Sequence, residues 1–225
     1  MTPPTPLPYG TPDTPHITVT GEAHLDTAPD TAHLTLTLTA RGRDRHTTLN
    51  NLTHRNTTTL NLLHTYDTAI EHIETSTLTL TPQPTKGRGE HIRAHQGTLH
   101  LTAHLTDFTP LGELTTRLAD HEHTHIDGIT WTLRPDSPAH RQARHQAVHN
   151  AIQRARAYAE ALGTTLTALT ELTDTEIPQP YPPTTLRTAT HTTEATHTPP
   201  LDLEPQRQHL YATITARFTM NPPTL

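Results

Sequence analysis

His121, Glu122 and His125 are the residues of this chain whose types and spacing come nearest to a catalytic pattern, His-Glu-x-x-His. On a helix, this spacing places two imidazoles one turn apart, where they bind zinc while the glutamate acts as general base for a bound water. The longer zinc-protease pattern has a third histidine at the position that Trp131 occupies. In extended form, the segment would instead place His121, His123 and His125 on one face. We therefore interpret these histidines as exposed, with a metal-binding protein or zinc hydrolase as the alternative function.

Three other sets of residues could contribute to a functional site by type and spacing. Their sequence context does not support such a site. His145 and His149 stand four residues apart and could chelate a metal on a helix surface, but a chain with 20 His produces such spacings by chance. Glu71 and Glu74 could form an acid–base pair, but they end a polar helix face where carboxylates are usually solvated. The Gly-Arg-Gly at 87–89 is typical of a hairpin turn. We predict no catalytic, cofactor-binding or metal-binding residue, and no enzyme activity.

The composition excludes several further classes of protein. The chain has 225 residues, of which 31% are hydrophobic and 4% aromatic, with 51 Thr and no Cys. Without cysteine there is no disulfide, thiolate metal site or thiol nucleophile. The formal net charge of -6 argues against a nucleic-acid binder, and no apolar run approaches the length of a membrane helix. The first residues lack the basic and apolar regions of a secretory signal, so we expect a cytoplasmic protein without membrane insertion.

Periodicity predicts a folded chain despite the low hydrophobicity. In several short runs, apolar residues alternate with threonine or another polar residue, which is the pattern of half-buried strands. The clearest of these runs are residues 17–25, 34–38, 78–80, 99–105, 131–133 and 210–218. Elsewhere, apolar residues recur every three or four positions, which predicts helices. The predicted helices span about 43–73, 108–121 and 137–162.

The last of these helices is the strongest prediction. Asp136 or Ser137 can cap its start, and Gly163 can end it. Alanine occupies every fourth position along one side, at 143, 147, 151, 155 and 159. Such a row of small side chains forms a low ridge, which lets a neighbouring element approach closely. We therefore predict that this helix is the central packing element of its part of the fold.

The order of the predicted elements defines an α+β fold in two parts. One part runs strand, helix, strand, strand, helix, strand, which is the order of a ferredoxin-like plait. The first strand, the alanine-rich helix and the last two strands would form a second α+β unit, intertwined with the plait in a single domain. The predicted boundaries are 32–134 for the plait, 16–31 with 135–220 for the second unit, 1–15 for a disordered Pro/Thr-rich arm, 178–205 for a Pro-rich loop and 221–225 for a tail.

With these elements in this order, the chain resembles the SIMPL domain family, formerly a domain of unknown function found in bacterial envelope proteins and some animal signalling proteins. The resemblance runs from about Ile17 to Phe218. It rests on Ile-Thr-Val-Thr-Gly-Glu-Ala at 17–23, Pro-Asp-Thr-Ala at 29–32, Gly-Ile-Thr-Trp-Thr-Leu at 128–133, the Arg- and Ala-rich helix at 141–163, and Pro-Pro-Leu-Asp-Leu-Glu-Pro at 199–205. Together, these segments in this order are typical of the family.

This resemblance implies an α+β protein that forms homo-oligomers, with roles in stress tolerance or as an interaction partner. The family has no agreed catalytic residues, so it assigns no residue a role. Its bacterial members usually carry an export signal, which this chain does not show. We expect a nonenzymatic SIMPL-like protein that acts by self-association and by binding an unidentified protein partner. A cytoplasmic scaffold, which would recruit a partner through the Pro/Thr-rich arm and loop, is a further interpretation that the sequence leaves open.

Overall fold

The computed structural model describes residues 10–84, 92–174 and 201–224, which form seven strands and three helices. The strands are β1 (His16–Thr27), β2 (Thr31–Gly42), β3 (Ile70–Pro84), β4 (Ile92–Leu105), β5 (Thr124–Thr132), β6 (Leu166–Asp174) and β7 (Gln208–Met220). The helices are α1 (Arg45–His64), α2 (Leu111–Ala119) and α3 (Pro138–Ala161). The strands form two antiparallel sheets, which confirms the predicted α+β class.

The first compact unit, which we call the plait unit, comprises residues 28–134 with 201–206 among the described residues. Its strands make one sheet in the order β3-β4-β2-β5, and α1 and α2 follow β2 and β4 in the chain. This order places β4 and β2 in the centre and β3 and β5 at the edges. It is the strand order of the predicted ferredoxin-like plait.

The core of the plait unit lies on one face of its sheet, because leucine and alanine alternate with polar residues along the two central strands. The fully buried residues of these strands are Ala32, Leu34, Leu36, Leu38, Leu101, Ala103 and Leu105. Leucines of the two helices contact them from the same side, namely Leu52, Leu62 and Leu63 of α1 and Leu111, Leu114 and Leu118 of α2. The sparse leucines therefore suffice for a buried core because they all face the same side of the sheet.

α1 is shorter than its sequence pattern predicts. Asp44 caps its start, since its Oδ1 accepts a hydrogen bond from the Thr47 N–H at 2.8 Å. The helix ends at His64 and not near Ile73, and β3 begins at Ile70. Ile70 and Ile73 keep the helical spacing in the sequence, but a β-bulge lies between them in a strand, and both pack on the plait core. The predicted helix end is therefore wrong, because a bulged strand can imitate helical spacing.

The second compact unit, which we call the three-stranded unit, comprises residues 10–27, 135–174 and 207–224 among the described residues. Its sheet has the order β1-β7-β6. α3 packs on β1 and β7 through the predicted alanine row, and all five alanines are buried. A Cβ atom on Gly21 of β1 would lie 2.1 Å from the carbonyl oxygen of Ala147. Helix and strand thus approach almost to backbone contact, which the small residues permit.

The ends of α3 agree with the prediction. Ser137 precedes the helix, and its Oγ accepts a hydrogen bond from the Ala139 N–H at 3.4 Å. Gly163 follows it with φ +66°, a conformation that glycine adopts without a steric cost. Most of the predicted arm and of the Pro-rich loop lies outside the described residues, and 201–205 have no regular secondary structure.

Replacing Ala147 with leucine should destabilise the protein, whereas the same change at Ala157 should not. Ala147 is buried against β1, while Ala157 is exposed on the same helix. We expect the free energy of unfolding to fall by about 1–3 kcal/mol for Ala147→Leu, because the larger side chain overpacks the contact. For Ala157→Leu we expect a change below about 0.5 kcal/mol. Denaturant titration followed by circular dichroism measures both, and equal losses would contradict the close contact.

Candidate functional site

The face of the plait sheet opposite its core is lined by threonine and histidine, and we call it the polar sheet face. On β2, the partly exposed residues that alternate with the buried leucines are His33, Thr35, Thr37 and Thr39. Their partners on β4 are, respectively, His104, Thr102, His100 and Thr98. Imidazole and hydroxyl groups are thereby concentrated on one surface.

Three histidines form a row across the polar sheet face. His104 of β4 pairs directly with His33 of β2 on one side and with His72 of β3 on the other. The ring centroids of His72 and His104 are 3.9 Å apart with the planes inclined by 17°, and those of His33 and His104 are 4.2 Å apart. Neighbouring strands lie about 4.8 Å apart, so strand register alone brings the rings into contact.

Glu74 of β3 lies beside two of these rings. Its Oε1 is 3.3 Å from His72 Nε2, and its Oε2 is 3.6 Å from His104 Nε2. The His104 side chain is only 15% exposed, and its Nε2 is buried without a hydrogen-bond partner. We call His72, Glu74 and His104 the His–Glu cluster, because their ligand atoms all lie within 4.8 Å of one another. The three side chains can therefore share one cation.

A β-bulge at the start of β3 places this cluster on the polar sheet face. Ile70 pairs with Leu105 and His72 with His104, so Glu71 is the additional residue between them. Without the bulge, strict alternation from the buried Ile70 would turn His72 toward the core. The additional residue shifts the inward and outward alternation by one position, so that His72 and Glu74 face outward.

His33 is the third histidine of the row, but its hydrogen-bond partner lies on β5 and not in the His–Glu cluster. Its Nε2 lies 3.1 Å from Thr132 Oγ1 of β5. Burial lowers the pKa of His33, and the neighbouring His104 and His72 lower it further, whereas Glu74 acts in the opposite direction. The neutral imidazole of His33 is therefore favoured in the folded protein.

A second polar network lies further along the same face. Thr37 Oγ1 donates a hydrogen bond to Asp127 Oδ2 at 2.6 Å and lies 2.8 Å from His100 Nδ1. The carboxylate of Asp127 is also 3.9 Å from His125 Nε2, which is too long for a hydrogen bond. This network therefore consists of ordinary hydrogen bonds, with an ion pair to each histidine only when that histidine is protonated.

The structure separates the residues of the His-Glu-x-x-His pattern. α2 ends at Ala119, His121 lies in the following bend, and β5 begins at Thr124. His123 lies in the turn between them with φ +64°. His121 and His125 are thus not one helical turn apart, and the histidines do not form a continuous extended face either. The helical geometry of a zinc protease is not formed here.

The other sequence candidates are also placed apart from a shared site. His145 and His149 are exposed on α3, and among the described residues neither belongs to a group of three metal-binding side chains. Glu71 forms an ion pair with Arg134, whereas Glu74 lies beside His72 and His104. Both glutamates lie in a strand and not on the predicted helix face. The Gly-Arg-Gly at 87–89 lies outside the described residues.

The three-stranded unit offers a different kind of surface. Three leucines of β6 lie opposite buried residues of β7, with the pairs Leu166 and Met220, Leu169 and Phe218, and Leu172 and Ala216. Leucines three residues apart would alternate between the faces of a regular strand. Two bulges, between Leu166 and Ala168 and between Leu169 and Glu171, keep them on one face. We call Leu166, Leu169 and Leu172 the β6 strip.

α3 covers β1 and β7 but leaves the β6 strip largely uncovered. Leu169 is 52% exposed and Leu172 is 50% exposed, although the β7 residues beside them on the same face of the sheet are buried. A groove of about 770 Å³ opens between α3 and β6, and its apolar lining includes Ile152, Leu169 and Phe218. The strip therefore extends the core of the three-stranded unit outward to the surface.

The described residues define an α+β protein with a ferredoxin-like plait and a second antiparallel sheet packed on one long helix. The family described as SIMPL, a protein of unknown function (DUF541), matches residues 17–218. The chain belongs to this family, which confirms the resemblance seen in the sequence. A comparison with curated proteins gives no match. None of the helices that the structure describes combines the length and apolarity needed to cross a membrane.

Neither the His–Glu cluster nor the β6 strip is among the sites predicted from the sequence. His33 and His104 alternate with apolar residues, so the sequence does place each on the polar side of a strand. Their contact with His72 depends on which strands pair and in which register. The β6 strip has a visible signal, three leucines spaced three apart, but this spacing fits a helix as well as a bulged strand.

Lowering the pH should destabilise the protein through His33. Its pKa in the folded protein lies below the ordinary 6.5, so between these two values the unfolded chain binds more protons. The stability that the protein gains from keeping His33 neutral is fully present above the ordinary pKa. It is lost as the pH falls toward the lowered pKa of the folded protein. We expect His33→Thr to reduce the loss between about pH 7.5 and about pH 5.5.

Denaturant titrations at several pH values measure this effect. His54→Thr, at an exposed position on α1, is the matched control and should keep the pH dependence of the wild type. If both variants lose stability in parallel with the wild type, His33 is not the group responsible.

Proposed function

We propose that this SIMPL protein is nonenzymatic and acts by self-association and by binding other proteins, in the stress tolerance that its family resemblance implies. Two copies of the chain meet at the β6 strip. The observation that carries this proposal is that Leu169 and Leu172 face the buried side of their sheet and yet are about half exposed. A single exposed leucine is ordinary, but a row of them beside an apolar groove is typical of an interaction surface.

The backbone of β6 supports the same contact. Among the described strands it pairs with β7 alone, so its outer N–H and C=O groups can accept another strand. Proline, lysine and arginine, which protect the edges of many sheets, do not occur within Leu166–Asp174. A second copy can add its own β6 by antiparallel pairing, which continues both the sheet and its apolar face.

The charges near the strip favour a second copy in this antiparallel orientation. Arg156 of α3 is exposed and lines the same groove as Leu166, which begins β6. Asp174 is exposed at the opposite end of the strand. An antiparallel arrangement brings Asp174 of each copy toward Arg156 of the other, whereas a parallel one keeps the opposite charges apart. A two-fold dimer would thus place one such pair of opposite charges at each end of the contact.

The composition gives a thermodynamic reason for the contact. Only 31% of the chain is hydrophobic, so folding of one copy removes little apolar area from water. Each further Å² of apolar surface that a dimer buries contributes about 25 cal/mol. Association therefore stabilises the fold as well as the assembly, by mass action.

Sedimentation velocity over the micromolar range tests the proposal with matched leucine variants. We expect the wild type to show a concentration-dependent dimer and Leu169→Glu to weaken it by about 10-fold or more, because burying one leucine contributes about 1.5–3 kcal/mol. Leu78→Glu is the control, since Leu78 is 58% exposed on β3, an edge strand of the other sheet. It should leave the dimer unchanged.

Two results would contradict this proposal. One is a wild type that remains monomeric at every concentration. The other is a dimer that Leu169→Glu and Leu78→Glu weaken equally, which would place the contact away from β6. Circular dichroism of both variants checks that each one is folded before its association is measured.

A further inference from the structure

The His–Glu cluster on the polar sheet face has the donor set of a transition-metal site. Two imidazole nitrogens and one carboxylate are ligands that zinc takes at about 2.0–2.2 Å. At tetrahedral angles, two such ligand atoms lie about 3.3–3.5 Å from each other. The distances from the Glu74 oxygens to His72 Nε2 and His104 Nε2 are 3.3 and 3.6 Å. Each imidazole nitrogen thus already lies near a coordinated separation from one oxygen of Glu74.

The Nε2 atom of His104 gives an independent observation. It is buried and has no hydrogen-bond partner, and Glu74 Oε2 at 3.6 Å is beyond hydrogen-bond reach. Leaving a buried polar atom without a partner destabilises the folded protein, so most such atoms are satisfied. Three other side-chain atoms among the described residues share this condition, but His104 is the one that belongs to a group of three metal-binding side chains. A cation between Nε2 and Glu74 would satisfy it.

The positions of the ligands also suit a bound ion. The backbone pairing of β3 with β4 fixes His72 directly opposite His104, so the stacked rings need only turn about their side-chain bonds for both Nε2 atoms to face one ion. Glu74 is 59% exposed and His72 is 47% exposed, which leaves a path from solvent. One side of the site is therefore preformed, and the other is open for entry and for an additional ligand.

We propose that His72, Glu74 and His104 bind one Zn²⁺ ion, with both histidines coordinating through Nε2 and Glu74 through its carboxylate. Water occupies the remaining tetrahedral position. The ion links the edge strand β3 to the central strand β4. Because the ligands are imidazoles and a carboxylate, Cu²⁺ and Ni²⁺ compete for the site, whereas Mg²⁺, which prefers oxygen ligands, does not. The site lies in the plait unit and does not depend on the self-association proposed above.

Isothermal titration of the full chain without an affinity tag, stripped of metal with a chelator, tests this proposal with ZnCl₂. We expect one zinc ion per chain in the wild type. His104→Ala and Glu74→Gln should each weaken zinc binding by more than about 10-fold, since the loss of even an outer-shell partner costs about 10- to 100-fold. Glu74→Gln is the safer variant for folding, because the exposed side chain keeps its shape.

Two double variants are matched controls, since the chain has many other histidines. His121→Ala with His125→Ala removes the sequence motif, and His145→Ala with His149→Ala removes the exposed pair on α3. Both should bind zinc as the wild type does. The wild type should also melt at a higher temperature with zinc, and Glu74→Gln should show little of this shift.

The proposal is overturned if the metal-free wild type binds no zinc. It is also overturned if Glu74→Gln and His104→Ala keep the affinity of the wild type, or if a control double variant loses zinc while they retain it. MgCl₂ in place of ZnCl₂ should give no binding, and equal binding of the two ions would contradict a site made of imidazoles.

Discussion

A β-strand has one face for the core, and in this chain the apolar residues are so few that nearly all of them must lie on that face. Leu34, Leu36 and Leu38 satisfy the constraint by strict alternation on β2, and β4 follows the same rule. The edge strands β3 and β6 do not alternate, and they satisfy it with bulges. The bulges keep the apolar side chains on the core face where strict alternation would turn some of them outward. Both candidate surfaces result from this correction.

The two bulged edges have opposite chemical consequences. In β3, the bulge keeps Ile70 and Ile73 on the core and turns His72 outward beside His104, which concentrates imidazoles on a polar face. In β6, the bulges keep the leucines on the inner face beyond the area that α3 covers. One edge thus carries metal-binding groups and the other carries uncovered apolar surface. The same local device supports the proposed metal site in one sheet and the proposed association surface in the other.

How much the sequence predicts follows from how local each feature is. α3 is predictable because its alanine row, its cap at Ser137 and Gly163 all lie within one continuous segment. The end of α1 is not, because Ile70 and Ile73 match the helical period and only pairing with β4 reveals a strand. The His–Glu cluster requires a strand register between segments about 30 residues apart, which no short pattern encodes. The His-Glu-x-x-His pattern is the reverse case. Its residues are close in sequence, but the structure places them in a turn and a strand, so they do not form the helical site that the pattern predicts.

The histidine row is not needed to build the sheet. At two other positions of the polar sheet face, threonines lie opposite each other, namely Thr35 opposite Thr102 and Thr39 opposite Thr98, and these suit a strand at no electrostatic cost. His104 instead carries a buried ring nitrogen without a partner, stacked on a second imidazole. Local choices that work against stability are expected where a protein has a function to perform. Because a threonine at this position would avoid the cost, the histidine is better explained by what its free nitrogen can bind than by what it contributes to folding.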